Sequence, residues 1–137
     1  MLWEHGPVAE RSKDWLRQAD ADLAAARHAR AGGHHEWAAF GAQQAAEKAL
    51  KALYQKLHLD AWGHVLTDLF AQLPRDLRSD VALTDAAKAL DKHYIPTRYP
   101  NGFERGAPAD FYTAAEADRA LADAERIIEW CRRQIDR

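Results

Sequence analysis

The side chains best suited to chemistry lie on one stretch of this chain, residues 37–57, which reads WAAFGAQQAAEKALKALYQKL. On a helical wheel, one side of the stretch carries four polar residues at spacings of three and four, namely Gln44, Glu47, Lys48 and Lys51. Such a polar group on one side of a helix could form a binding site. Trp37 and Phe40 lie on the same side, so aromatic rings border the polar group.

The polar group also has a simpler interpretation. Glu47 and Lys51 form an i,i+4 pair of favourable orientation, which is worth about 0.3–0.5 kcal/mol on an exposed helix. Charges that water solvates on a long helix need no function. Spacing alone favours this interpretation over a binding site.

A second candidate group lies at residues 94–100, YIPTRYP, where two tyrosines flank one arginine. Arg98 could hold a carboxylate or a phosphate in a forked pair of hydrogen bonds. Alternatively, it pairs with an acidic residue such as Asp22 or Glu47 and anchors the loop. His64 is a third candidate, as a proton donor or ligand contact at a junction between helices, or simply as a capping or packing residue.

Other chemistry-bearing motifs are absent from the sequence. It has no glycine-rich phosphate loop, no G-x-S-x-G and no HExxH, and its single cysteine, Cys131, cannot build a thiolate zinc site. We therefore expect no metal site and no cofactor. The formal net charge of −2 argues against nucleic-acid binding by bulk electrostatics. Without a secretion signal or a membrane span, the sequence predicts a cytoplasmic protein.

The elements that must position these groups are predicted to be helices. Apolar residues at three- and four-residue spacing predict helices from about residue 12 to 31, 35 to 57, 64 to 73, 76 or 79 to 94, and 113 to the C-terminus. Ser12 is the predicted N-cap of the first, and Thr113 with Glu116 forms a capping box for the last. The prolines and glycines of residues 95–112 predict an extended loop. With no strand pattern, the 137 residues predict one all-α domain, an antiparallel up-and-down bundle of four main helices plus a short one.

These motifs together resemble the HEPN domain family, whose name stands for higher eukaryotes and prokaryotes nucleotide-binding. The matching segments follow the family's order and cover residues 12–136: Asp22-Leu23-x-x-Ala26, then QQAAEKALKA at 43–52, Gly63-His64 with Leu69, Tyr94-Ile-x-x-Arg98-Tyr99-Pro100, and a closing helix with Ala117 and Leu121. The resemblance implies a helical bundle that forms homodimers. It also implies two activities that many members of the family have. One is pairing with a minimal nucleotidyltransferase as toxin and antitoxin, and the other is metal-independent ribonuclease activity with an Arg-x(4–6)-His motif.

The ribonuclease motif is absent at its expected place. No histidine follows Arg98, and His93 precedes it. The spacing occurs formally from Arg30 to His35 and from Arg27 to His34, but both pairs span the turn between the first two predicted helices. The sequence therefore predicts no catalytic residue.

The favoured hypothesis is a non-catalytic HEPN protein that acts with a nucleotidyltransferase and binds a nucleotide. Phosphate contacts would come from Lys48, Lys51 and Arg98, hydrogen bonds from Gln44 and His64, and stacking from Tyr99 or Trp37. Structural or interface roles are expected for Asp22, Trp37, Glu47 and Tyr94. The alternatives are a ribonuclease toxin that acts on RNA, and a homodimeric structural module without a ligand.

Overall fold

The computed structural model describes residues 10–77, 80–95 and 97–137. Six α-helices follow one another in this part of the chain: α1 (Ser12–Ala31), α2 (His35–Lys56), α3 (Leu66–Ala71), α4 (Val81–Asp91), α5 (Pro108–Phe111) and α6 (Ala114–Ile135). These residues contain no strand, so the predicted all-α class is confirmed. None of the described helices is both long and apolar enough to cross a membrane.

Helix α2 lies at the centre of the fold and packs against α1 on one side and α6 on another. Alanines dominate its contact surfaces, and nine of its apolar residues are fully buried: Ala38, Ala39, Ala42, Ala45, Ala46, Ala49, Leu50, Ala52 and Leu53. Small side chains let the helix axes approach closely. At Gly41 a Cβ atom would lie 2.9 Å from the Cβ atom of Ala26, so α1 and α2 nearly touch there.

The N-terminal ends of α1 and α6 test the two capping predictions. Thr113 Oγ1 accepts a hydrogen bond from the Glu116 backbone at 3.1 Å, and Glu116 Oε1 accepts one from the Thr113 backbone at 3.2 Å, so the predicted capping box is confirmed. The N-cap prediction for Ser12 is wrong. Ser12 is the first residue of α1, and its backbone N–H donates to the Glu10 carboxylate instead.

Helix α3 is shorter than predicted because a distant side chain caps it. Asp91 accepts hydrogen bonds from the backbone N–H groups of Leu66 and Thr67 at 2.7 and 3.1 Å, which fixes the start of α3 at Leu66. His64 therefore precedes the helix rather than beginning it. Helix α4 begins at Val81, after Asp80, whose carboxylate accepts from the Leu83 backbone at 3.0 Å.

Helix α4 also ends early, at Asp91 rather than Tyr94. Ser79, one of its two predicted starts, lies outside the described residues. A 3-10 turn, Arg75–Leu77, comes before α4. The predicted loop, residues 95–112, contains a 3-10 turn at Pro100–Gly102 and the single helical turn of α5.

The segment between α2 and α3, residues 57–65, has an unusual backbone. His58 adopts a left-handed conformation with φ of 56°, in a position that glycine usually occupies after a helix. The Leu59 N–H then donates to the Tyr54 carbonyl at 2.9 Å, closing the end of α2. Gly63, with φ of 82°, makes a second sharp change of direction just before His64. The segment thus turns back along α2 and places His64 over its polar side.

Candidate functional site

The polar side of α2 is not a solvated surface. Glu47 is only 5% exposed, and Gln43, one turn earlier, is fully buried. The interpretation of Glu47 as a charge in water is therefore wrong, because the segment 57–65 covers it. A carboxylate removed from water needs hydrogen-bond donors around it.

Three side chains supply those donors. Glu47 Oε2 lies 2.9 Å from Lys51 Nζ and 2.9 Å from His64 Nδ1, while Glu47 Oε1 lies 3.4 Å from Gln43 Nε2. Gln43 also donates to the His64 carbonyl at 3.2 Å, and Gln44 donates to Gln43 Oε1 at 2.7 Å. The carboxylate can only accept, so Nδ1 of His64 donates this hydrogen bond. In a neutral His64, the Nε2 atom is then left as an acceptor.

Aromatic rings continue this network away from α2. The His64 ring stacks on Tyr94 with 5.3 Å between centroids and 14° between planes. Phe40 lies 6.2 Å from Tyr94, and Trp37 lies 6.0 Å from Phe40. The imidazole of His64 is thus held by a carboxylate at one atom and by a phenol ring on one face, and the His64 side chain is 54% exposed.

Arg98 lies among the same rings. Its Cζ atom is 4.5 Å from the centroid of Phe40, 4.6 Å from that of Tyr94 and 5.2 Å from that of Tyr99. Its Nε donates to the Tyr94 carbonyl at 2.9 Å. Contacts of a guanidinium with ring faces are attractive and hold its plane in place.

Arg98 has no carboxylate partner among residues 10–77, 80–95 and 97–137. The predicted alternative, in which it pairs with Asp22 or Glu47, is wrong because both acids are already occupied. Asp22 binds Lys48, and Glu47 binds Lys51 and His64. The terminal nitrogens of Arg98 therefore remain available to a ligand.

The Lys48–Asp22 pair joins α2 to α1 beside the rings. It lies at one end of a groove of about 380 Å³, whose walls include Trp37, Phe40 and Gln44. Trp37 is half-exposed at the rim of this groove.

The structure brings all ten of the predicted site and interface residues into one connected patch, which we call the Arg98 face. It consists of Asp22, Trp37, Gln44, Glu47, Lys48, Lys51, His64, Tyr94, Arg98 and Tyr99, together with Phe40 and Gln43. Sequence reasoning gave no role to Gln43, although its i,i+4 spacing from Glu47 signalled the contact. Phe40 packs against Arg98, a residue 58 positions away, so no local signal in the sequence predicts that contact.

The other histidine and arginine candidates lie elsewhere. His93 Nδ1 contacts the Tyr112 hydroxyl at 3.0 Å, and burial lowers the pKa of His93 and raises the pKa of Tyr112 to about 12. Arg27 and Arg30 form ion pairs with Glu125 and Asp118 of α6. The two arginines of the formal Arg-x(4–6)-His spacings therefore join α1 to α6. The described residues also contain no group of three or more potential metal ligands.

Comparison with known proteins shows which family shares this fold. The family model for the HEPN domain matches residues 12–134, which is nearly all of the described chain. The chain belongs to the HEPN domain family. A curated relative, "Putative toxin MJ1304" of Methanocaldococcus jannaschii, is 25% identical over 127 residues, which are 86% of this chain and 84% of the relative.

Three solved structures share the fold over most of this chain. TT1696 from Thermus thermophilus aligns with a TM-score of 0.90 and 44% identity, covering 92% of this chain and 99% of that one. ST0689, described as an archaeal HEPN homologue, aligns with a TM-score of 0.79 and 39% identity over 93% and 99% of the two chains. A HEPN domain protein of Thermotoga maritima, tm0613, gives 0.68 and 32% over 90% and 98%.

The buried carboxylate predicts a clear effect on stability. Replacing Glu47→Gln keeps the side chain's shape but turns one acceptor into a donor that faces Lys51 and His64. We expect the free energy of unfolding in urea to fall by about 1–3 kcal/mol, the cost of leaving buried groups unpaired. The matched control is Glu125→Gln, which removes an exposed pair with Arg27 and should cost less than about 1 kcal/mol. Equal losses in the two variants would contradict the structural role of Glu47.

Proposed function

We propose that this chain is a toxin-type HEPN protein that binds a nucleotide on the Arg98 face and acts together with a minimal nucleotidyltransferase. The observation that carries the binding proposal is the guanidinium of Arg98, which three rings and one backbone hydrogen bond hold and which pairs with no carboxylate in the described part of the chain. A planar fork of donors that is already immobilised loses little entropy when it binds a phosphate.

The rest of the face suits the same ligand. Five side chains there carry formal charges, and the three cations outnumber the two anions: Asp22, Glu47, Lys48, Lys51 and Arg98. The two lysines already bind carboxylates, so they would attract a phosphate mainly through their charge. Gln44 and the Nε2 atom of His64 offer hydrogen bonds, and the half-exposed rings of Tyr99 and Trp37 offer stacking surfaces.

The toxin role and the partner rest on kinship. The Methanocaldococcus jannaschii relative carries the name "Putative toxin MJ1304", and the family resemblance implies a nucleotidyltransferase encoded nearby. Several large apolar side chains on or near the Arg98 face are exposed, which also suits a protein partner or a second copy of the chain: Trp37, Trp62, Val65, Ile95 and Tyr99. We accordingly propose a homodimer that works in the cytoplasm without metal or cofactor.

Nucleotide binding can be tested by calorimetry. Arg98→Ala should weaken the affinity for a nucleotide about tenfold to a hundredfold, because a charged hydrogen bond to the phosphate is lost. Arg133→Ala, which removes an exposed arginine of α6, serves as the matched control and should bind normally. If the parent binds no nucleotide, the proposal fails. If Arg98→Ala instead changes only the sedimentation behaviour, the face is a dimer interface without a ligand.

The partner is tested by recovering the tagged protein from its native host and identifying bound proteins by mass spectrometry. We expect a small nucleotidyltransferase in near-equal amount. Recovery of this chain alone, as a dimer, would contradict the pairing while leaving nucleotide binding open to its own test.

A second candidate function is ribonuclease activity, and one observation favours it. Two groups contact the Tyr94 ring: the His64 imidazole, which a buried carboxylate orients, at 5.3 Å from its centroid, and the Arg98 guanidinium at 4.6 Å. His64 Nε2 could accept the proton of a ribose hydroxyl while Arg98 stabilises the charged phosphate. This site would arise from different residues than the Arg-x(4–6)-His spacing.

Ribonuclease activity would show as RNA cleavage in the presence of a metal chelator. His64→Ala should lower the rate at least a hundredfold, in keeping with loss of a general base, whereas His35→Ala should have no effect. Cleavage that persists in His64→Ala but disappears in His35→Ala would place the activity at the turn between α1 and α2. Absence of cleavage in the parent removes this candidate.

A further inference from the structure

Asp91, the last residue of α4, joins two parts of the chain that meet at the Arg98 face, although it is not itself part of that face. Its carboxylate accepts three hydrogen bonds from the start of α3. They come from the Leu66 N–H at 2.7 Å, the Thr67 N–H at 3.1 Å and the Thr67 hydroxyl at 2.8 Å. Both carboxylate oxygens thus have donors within the protein, so Asp91 serves the structure rather than a ligand.

The same residue also begins the turn that carries Tyr94. The Asp91 carbonyl accepts from the Tyr94 N–H at 3.3 Å, so Tyr94 follows directly on the residue whose carboxylate caps α3. Arg98 comes four residues later, and its Nε donates to the Tyr94 carbonyl at 2.9 Å. A continuous series of hydrogen bonds therefore runs from α3 through Asp91 and Tyr94 to the guanidinium of Arg98.

The start of α3 is also close in sequence to the other functional group of the face, His64. Leu66 lies two residues after His64, and Asp91 lies three residues before Tyr94. The hydrogen bond from Leu66 to Asp91 and the ring stack of His64 on Tyr94, with 5.3 Å between centroids, therefore join the same two short segments. Because the segments are so short, a change in the hydrogen bond moves one ring against the other.

The groups of the face depend on Asp91 to different degrees. His64 has a further hold on α2, because its Nδ1 lies 2.9 Å from Glu47 Oε2. Arg98 has no carboxylate partner in the described ranges of the chain, and it takes its position from the Tyr94 carbonyl and from ring faces. Loss of the Asp91 hydrogen bonds should therefore displace Tyr94 and Arg98 more than His64.

From these contacts we propose that Asp91 is a positioning residue for the Arg98 face. It sets the place of Tyr94, and through Tyr94 it sets the place of the Arg98 guanidinium relative to the His64 imidazole. The inference rests on the proposed function only in taking the Arg98 face as the site. It applies to ligand binding and to RNA cleavage alike, because each needs the two groups held in a fixed arrangement.

A residue that only caps a helix would behave differently, and Asp80 supplies the comparison. The Asp80 carboxylate accepts from the Leu83 N–H at 3.0 Å and caps α4, at the opposite end of that helix from Asp91. Replacement of either aspartate by asparagine turns one accepting oxygen into a donor. Both variants should therefore lose stability, whereas only Asp91→Asn should disturb the Arg98 face.

The test is NMR spectroscopy of the full chain without ligand. The rings around Arg98 and its hydrogen bond to Tyr94 give its Nε–H signal a position unlike that of an exposed arginine such as Arg133. We expect this signal to move towards that of Arg133 in Asp91→Asn and to stay in place in Asp80→Asn. Thermal melting verifies that both variants are folded and measures the stability that each has lost.

A milder variant keeps the test valid if Asp91→Asn does not fold. Thr67→Val removes only the hydroxyl that donates to Asp91 and leaves both backbone hydrogen bonds in place. We expect it to move the Arg98 signal in the same direction by a smaller amount. Hydrogen exchange at the Leu66 amide reports on the cap itself and should quicken about tenfold in Asp91→Asn, because that amide loses its charged acceptor.

Two outcomes would overturn the inference. If the Arg98 signal keeps the parent's position in Asp91→Asn, whether or not exchange at Leu66 quickens, Asp91 is at most a helix cap. If Asp80→Asn moves the Arg98 signal as far as Asp91→Asn does, the change follows general stability and not a specific link. Neither measurement needs a ligand, so a parent chain that binds no nucleotide would remove the proposed function without deciding the role of Asp91.

Discussion

A single buried carboxylate, that of Glu47, determines the arrangement of the Arg98 face. Moving a carboxylate out of water is costly, and here three donors from Gln43, Lys51 and His64 compensate for that cost. Each donor is thereby fixed in position. The stacked ring of Tyr94, and with it the site of Arg98, follows from the placement of His64.

The scaffold that allows this contact is the alanine-rich helix α2. Its small residues and Gly41 bring α1 within contact distance, so that Asp22 reaches Lys48 across the two helices. On its other sides the same helix contacts α3, α4, α5 and α6. A central helix packed on several sides offers little freedom to its polar residues, and this rigidity is what a preorganised binding surface requires.

The sequence predicted most of the fold, because the helices depend on local spacing. The bounds of α1 and α6 followed from apolar periodicity and from the Thr113 capping box. The start of α3 did not, since it depends on Asp91, 25 residues later. Likewise, a helical wheel places Glu47 on a polar side of the helix but does not reveal that a later segment covers that side. The charge of Arg98 also allowed an acidic partner, whereas in the structure its guanidinium contacts ring faces.

The single thiol of the chain can be used to measure how often the helical bundle opens. Cys131 is free and fully buried in α6, and burial raises the pKa of its thiol. A labelling reagent reacts with the thiolate, so the reaction occurs only after α6 separates from the core and exposes Cys131. The rate of modification therefore measures how often the bundle opens, with one signal per molecule and no engineered residue. Ligands that bind the closed bundle slow that rate, whatever their own spectroscopic properties.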